Sequence, residues 1–124
     1  MKRLFLALWP NYAIRNQIDK IIQSINFAGL KKVKFNNLHV TLVFLGKVDA
    51  DTELIIRQRM GNIHTQDFTI RFDQFAFWKK PKVLCLTAQQ CDLQLFILVE
   101  ALKRELEQCG VVCEERPYKP HITL

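Results

Sequence analysis

Asn37-Leu38-His39-Val40-Thr41-Leu42-Val43-Phe44-Leu45-Gly46 decides how this chain folds, and Lys119-Pro120-His121-Ile122-Thr123-Leu124 repeats its central pattern. In a strand, residues two apart share a face. His39 and Thr41 would therefore project together, with Val40 and Leu42 turned into a core. His121 and Thr123 would do the same, backed by Ile122 and Leu124. Each stretch presents an imidazole beside a hydroxyl on a rigid element. Either one alone reads as the wet side of a half-buried strand, since short patterns recur by chance. Two of three histidines in such a setting would arise at random on the order of once in a few thousand chains. His64, followed by Thr65-Gln66, lacks the pattern and reads as a loop histidine.

Working outward, residues 3–9 read as a central strand, apolar on both faces. Pro10-Asn11 opens a helix in which Ile14, Ile18, Ile21, Ile22 and Ile25 recur at helical spacing, stopped by Gly29. Val33 to Leu45 forms a strand region, kinked at Asn36-Asn37 and terminated by Gly46. Asp49 to Thr52 supplies capping chemistry for a second helix, 52–63, carrying Leu54, Ile55 and Met60. Phe68, Ile70 and Phe72 alternate with polar residues as a half-buried strand running towards Phe77. Lys79-Lys80-Pro81 turns into a strand at Val83–Thr87. Asp92 caps a third helix, 93–108, whose apolar face holds Leu95, Leu98, Val99, Leu102 and Leu106. Gly110 stands at its C′ position. Val111 to Cys113 is a short strand, and the last strand begins near Lys119. The order β-α-β-α-β-β-α-β-β predicts an α+β domain, helices packed on mainly antiparallel sheet.

With 124 residues, 49% of them apolar and 24% charged, the chain holds one domain, 1–124, with a single core. Lys2-Arg3 followed by Leu4 to Trp9 resembles a signal peptide only superficially. The apolar run is short, lacks a small-residue cleavage site, and falls far below the roughly 20 residues of a membrane span. Neither a leader nor a membrane is expected. The four cysteines, Cys85, Cys91, Cys109 and Cys113, form no Cys-x-x-Cys pair. Cys109, Cys113 and His121 would lack a fourth ligand, so no metal is expected, and free thiols suit a cytoplasmic protein. The net charge of +6 favours a polyanionic partner, with basic clusters at Lys31, Lys32, Lys34 and at Lys79, Lys80, Lys82. Two histidines at one site suit a reaction that removes a proton on one side and delivers one on the other. Threonine hydroxyls beside them can donate to phosphate oxygens, with neither metal nor cofactor.

These segments resemble the RNA 2′,3′-cyclic phosphodiesterases, also called 2′-5′ RNA ligase-like proteins, of the two-histidine phosphoesterase superfamily. The resemblance is carried by Arg3-Leu4-Phe5 with Trp9-Pro10, by Asn37 to Gly46, by Pro81 to Leu86 and by Glu115 to Leu124. It implies a bilobal fold of two pseudo-twofold-related halves meeting at a central cleft. It also implies hydrolysis of an RNA-terminal 2′,3′-cyclic phosphate, or of a related 2′,3′-cyclic nucleotide, to a 2′-phosphate. His121 would be the base and His39 the acid, with Thr41 and Thr123 holding the phosphoryl oxygens. The sequence departs from the family in two places. Lys32 stands where a tryptophan is common. The strands and the arginine that usually follow the second motif are absent, so the second lobe is expected to be truncated, the chain being either a fragment or one that borrows strands from a partner in a homo-oligomer. An RNA-end-binding module without turnover stays open as the alternative, and 2′-5′ RNA ligation as a side activity.

Overall fold

The computed structural model describes residues 1–25, 32–79 and 83–124. The expected helix stop at Gly29, the turn at Lys80-Pro81 and the cations Lys31, Lys80 and Lys82 lie outside these residues. Among those described, the elements are β1 (Lys2–Leu8), α1 (Tyr12–Ser24), a 3₁₀ turn (Phe35–Asn37), β2 (Val40–Val48), α2 (Ala50–Met60), β3 (Gln74–Trp78), β4 (Val83–Thr87), α3 (Leu93–Gln108) and β5 (His121–Thr123). The α+β expectation holds.

Five strands form one sheet in the order β1-β2-β5-β4-β3, and every neighbouring pair is antiparallel. β5 is the centre, pairing on one side with β2 (Val40 opposite Ile122) and on the other with β4. The last element of the chain thus joins two pairs made earlier, β1–β2 and β3–β4.

Gly46 does not end β2. It adopts φ +71°, a left-handed conformation that glycine reaches without a Cβ clash. There the pairing jumps from Leu4–Gly46 to Phe5–Phe44, and a second jump separates Leu6–Val43 from Ala7–Thr41. Each irregularity inserts one residue into β2 and reverses which parity faces inward. This is why Val40 and Leu42, then Val43 and Leu45, then Val48 are all buried along one strand.

All three helices cover one face of the sheet. Ile18 and Ile22 of α1 pack with Leu38, Val40, Leu86 and Ile122. Ile56 of α2 and Leu95, Leu98, Val99, Leu102 and Leu106 of α3 pack with Leu42, Val43, Leu45 and Val48. Leu8 touches both clusters, so they are two ends of one layer. The helices begin where side-chain oxygens accept orphan N–H groups: Asn11 from Ile14, Asp49 from Thr52, and Asp92 from Gln94. The Thr52 bonds also hold the Asp49 carboxyl below its ordinary range. The α3 stripe is the expected one, and Gly110 follows its C-cap with φ +86°.

Three local expectations are corrected. The second helix starts two residues earlier than expected, and its buried residue is Ile56, with Leu54 and Ile55 exposed. Phe68, Ile70 and Phe72 do point inward alternately, yet only an isolated bridge from Ile70 to Cys91 forms there, and the ladder starts at Gln74. Val111 and Cys113 are buried and Val112 is 91% exposed, the alternation of a strand without a strand to pair with. Periodicity reports which side is wet; ladder formation needs a neighbour.

Replacing Ile122, 1% exposed, by alanine should lower unfolding free energy by about 2–5 kcal/mol in urea titrations. Leu54→Ala, at a position 59% exposed, should change it by no more than about 0.5 kcal/mol.

Candidate active site

The face opposite the helices is open, and both His-x-Thr segments lie on it. Val40 and Ile122 turn into the helical core, 3% and 1% exposed, while His39, Thr41, His121 and Thr123 are all half-buried on the other side. Extending the Val40–Ile122 register by one residue each way sets His39 across from Thr123 and Thr41 across from His121. The two motifs are thus related by a local twofold through that pair. Side chains directly across stand about 4.5–5.5 Å apart at Cβ, and diagonal pairs, here the two histidines, about 7–8 Å. The arrangement gathers two imidazoles and two hydroxyls in one small patch of the open face.

The imidazoles are held alike. His39 Nδ1 lies 2.6 Å from the Asn37 carbonyl oxygen, and His121 Nδ1 lies 3.0 Å from the Lys119 carbonyl oxygen. A carbonyl only accepts, so Nδ1 carries the proton in each ring and donates it. Nε2 of each is then the atom free to take or give a proton. The sequence before each histidine aims that carbonyl. The 3₁₀ turn Phe35–Asn37 is pinned by Phe35, which meets the Tyr12 ring at 5.5 Å and the Arg15 guanidinium at 5.1 Å. On the other side Pro120, itself buried, restricts Lys119 to extended backbone.

Four residues that the sequence reading gave no place in the site complete the surroundings. Phe5 stacks on His39 at 4.9 Å, and Trp9 lies 5.0 Å from the same ring. Trp78 meets His121 edge-on at 4.7 Å. Cys85, across from Thr123 in β4 and fully buried, places its sulfur 4.0 Å from the threonine hydroxyl. Burial raises its thiol above the ordinary range, so it stays a neutral floor. Strand parity could have flagged Phe5 with Trp9; nothing in the sequence linked Trp78 to His121 or Cys85 to Thr123.

Tyr118 ties the approach of β5 to β2. Its hydroxyl donates to the Thr41 carbonyl at 2.8 Å, and its ring packs edge-on against Phe96 of α3. Burial, with a smaller contribution from Cys91, pushes its phenol well above the ordinary tyrosine range. A large hollow of about 850 Å³ lies beside this residue, between α3 and residues 110–118, and contains neither histidine. Cys113 belongs to the helical core and Cys109 packs against it, on the opposite face from His121. His64 is exposed. Among the described residues no group of three His, Cys, Asp or Glu side chains is placed to hold a metal ion, and no helix is long and apolar enough to cross a membrane.

Two like motifs, a local twofold and a helix-backed antiparallel sheet define a phosphoesterase architecture with paired histidines. Residues 8–85 match the LigT-like phosphoesterase family. The chain is 34% identical over 126 residues to the RNA 2′,3′-cyclic phosphodiesterase of Escherichia coli K12, spanning 99% of this chain and 70% of that protein. It superposes on the crystal structure of E. coli LigT in apo form with a TM-score of 0.88 at 33% identity, covering 99% of this chain and 70% of that one. The crystal structure of E. coli LigT complexed with 3′-AMP matches with a TM-score of 0.87 at 32% identity, covering 99% and 71%. The chain belongs to the LigT-like phosphoesterase family.

Tyr118→Phe should cost roughly 1 kcal/mol at neutral pH through the lost hydrogen bond to Thr41. The folded phenol's raised pKa adds a second signature. The unfolded tyrosine ionises near pH about 10 while the folded one keeps its proton, so wild-type stability should fall as pH climbs above that value. Chemical denaturation between neutral and alkaline pH should show that decline weakened in Tyr118→Phe.

Proposed function

We propose that this protein hydrolyses a 2′,3′-cyclic phosphate at an RNA end to a 2′-phosphate, by histidine acid–base catalysis without a metal. The observation that carries the proposal is the Val40–Ile122 pairing, which sets two imidazoles and two hydroxyls on one open face. The membership of a phosphoesterase family supports it. So do the E. coli relative's name and the 3′-AMP complex, which match in reaction and in ligand class.

In this reading Thr41 and Thr123 donate to the non-bridging oxygens and hold phosphorus between the rings. His121, neutral and with its Nδ1–H engaged by the Lys119 carbonyl, accepts at Nε2 a proton from water attacking in line. The new P–O bond forms as the bond to the 3′ oxygen breaks. His39, protonated at Nε2, delivers its proton to that departing oxygen. The two histidines finish with exchanged protonation, and solvent restores them. The division of labour between His39 and His121 follows the family resemblance, because the local twofold makes their surroundings alike. The free cysteines fit a reducing compartment, the cytoplasm.

Purified protein with EDTA should convert both 2′,3′-cyclic AMP and a cyclic-phosphate-ended oligoribonucleotide to 2′-phosphates. His39→Ala and His121→Ala should each lower kcat by about 10²–10⁴-fold. The double variant should be little worse than either single one, since the pair acts as a unit. Retained turnover in either single variant would sink the proposal. Tight binding of the RNA end without turnover would point to an end-binding module.

A further inference from the structure

Beyond His39 the open face continues along the β1–β2 ladder through Trp9, Phe5, Phe44, Lys47 and Arg3, and the mechanism uses none of their functional groups on phosphorus. Residues 3, 5, 7 and 9 share one side of β1 and its extension. The register places Thr41 beside Ala7, Phe44 beside Phe5 and Lys47 beside Arg3. The Gly46 irregularity makes this possible, because without its extra residue Phe44 and Lys47, three apart, would face opposite ways. The strip therefore runs from the imidazole of His39 over Trp9 and Phe5 to Phe44, and ends on two cations. By strand rise, Trp9 to Arg3 spans about 20 Å.

Two features of this strip are costly to an isolated protein. Trp9, Phe5 and Phe44 are 55%, 41% and 59% exposed, with the Phe5 and Phe44 rings 6.1 Å apart. Arg3 and Lys47, both exposed, face each other directly across the ladder, a like-charge pairing that disfavours the sheet. Among the described residues neither is in an ion pair. The neighbouring Lys2, on the other side of β1, does find Glu53. Exposed rings in series, finished by unneutralised cations, match the chemistry of a single-stranded nucleic acid, whose bases stack on rings while phosphates meet the charges.

Resting on the phosphodiesterase reading, we propose that the β1–β2 strip is an extended track for single-stranded RNA. Phe44 stacks a base upstream of the reacting end, and Arg3 with Lys47 binds the phosphates beyond it. The track makes an RNA strand, rather than a free cyclic nucleotide, the preferred substrate. A mononucleotide reaches the histidines but not Phe44 or the cations.

The test compares kcat/KM for a cyclic-phosphate-ended oligoribonucleotide with that for 2′,3′-cyclic AMP, in wild type, Phe44→Ala, Phe44→Tyr and Lys47→Glu. Lys20→Glu, on the helical side, serves as the charge-matched control. The ratio should favour the oligonucleotide in wild type and in Phe44→Tyr, and fall by roughly 5- to 150-fold in Phe44→Ala. Lys47→Glu should also lower it, and should flatten the salt dependence of oligonucleotide binding by about 0.7 in log–log slope for each phosphate left without its cation. An unchanged ratio in Phe44→Ala and Lys47→Glu overturns the track, as does an equal fall in Lys20→Glu. If wild type hydrolyses neither substrate, the phosphodiesterase reading fails by itself. Fluorescence anisotropy of a labelled 2′-phosphate-ended oligoribonucleotide then decides the track, supported by weaker binding in Phe44→Ala and overturned by none. A change in oligomeric state in place of a change in RNA affinity overturns it in favour of a contact between copies.

Discussion

The pairing of Val40 with Ile122 is the contact on which the rest of this structure depends. It is one rung of backbone ladder between β2 and the three-residue strand β5, yet it joins the β1–β2 and β3–β4 halves of the sheet. The side chains of the pair face the helices, where Ile18, Ile22, Leu38 and Leu86 enclose them. Hydrophobic burial on that side fixes the register, since a slip by one residue would turn both apolar side chains to water and both motifs into the core. The open face that carries both motifs is specified by what lies behind it.

That constraint explains why the site can be nearly symmetric without any repeat of sequence beyond a few residues. Each histidine needs a carbonyl two residues upstream, and two unrelated devices supply it: a 3₁₀ turn clamped by Tyr12, Arg15 and Phe35, and the Lys119-Pro120 step. Each also needs something against its ring, given by Phe5 and Trp9 on one side and Trp78 on the other. Tyr118 then fastens β5's approach to β2 through the Thr41 carbonyl. The same placement of two histidines is thus reached by unrelated local means.

The Gly46 irregularity matters for the same reason. By shifting parity along β2 it keeps Leu45 and Val48 in the core while holding Phe44 and Lys47 on the open side, and the second irregularity brings Thr41 to the same side as Phe44. A regular strand of this composition would have to expose part of its apolar set or bury a lysine, and burying an unpaired charge is the costlier course.

The amino-acid sequence by itself determined which side chains are wet and which dry over most of the chain. The stripe on α3, the inward Val40, Leu42, Ile122 and Leu124, and the capping Asp92 and Asn11 all follow from spacing and local hydrogen-bonding chemistry. It also yielded His39, Thr41, His121 and Thr123 as a candidate set, because period-two alternation is a local property. Tertiary structure alone decided what depends on neighbours distant in sequence. It set His39 across from Thr123, brought Trp78 to His121 and Cys85 to Thr123, and denied ladders to 68–72 and 111–113. It also turned Gly46 from an apparent strand end into the point where β2 changes phase. Alternation says which way a side chain points; only pairing across the sheet says what it meets.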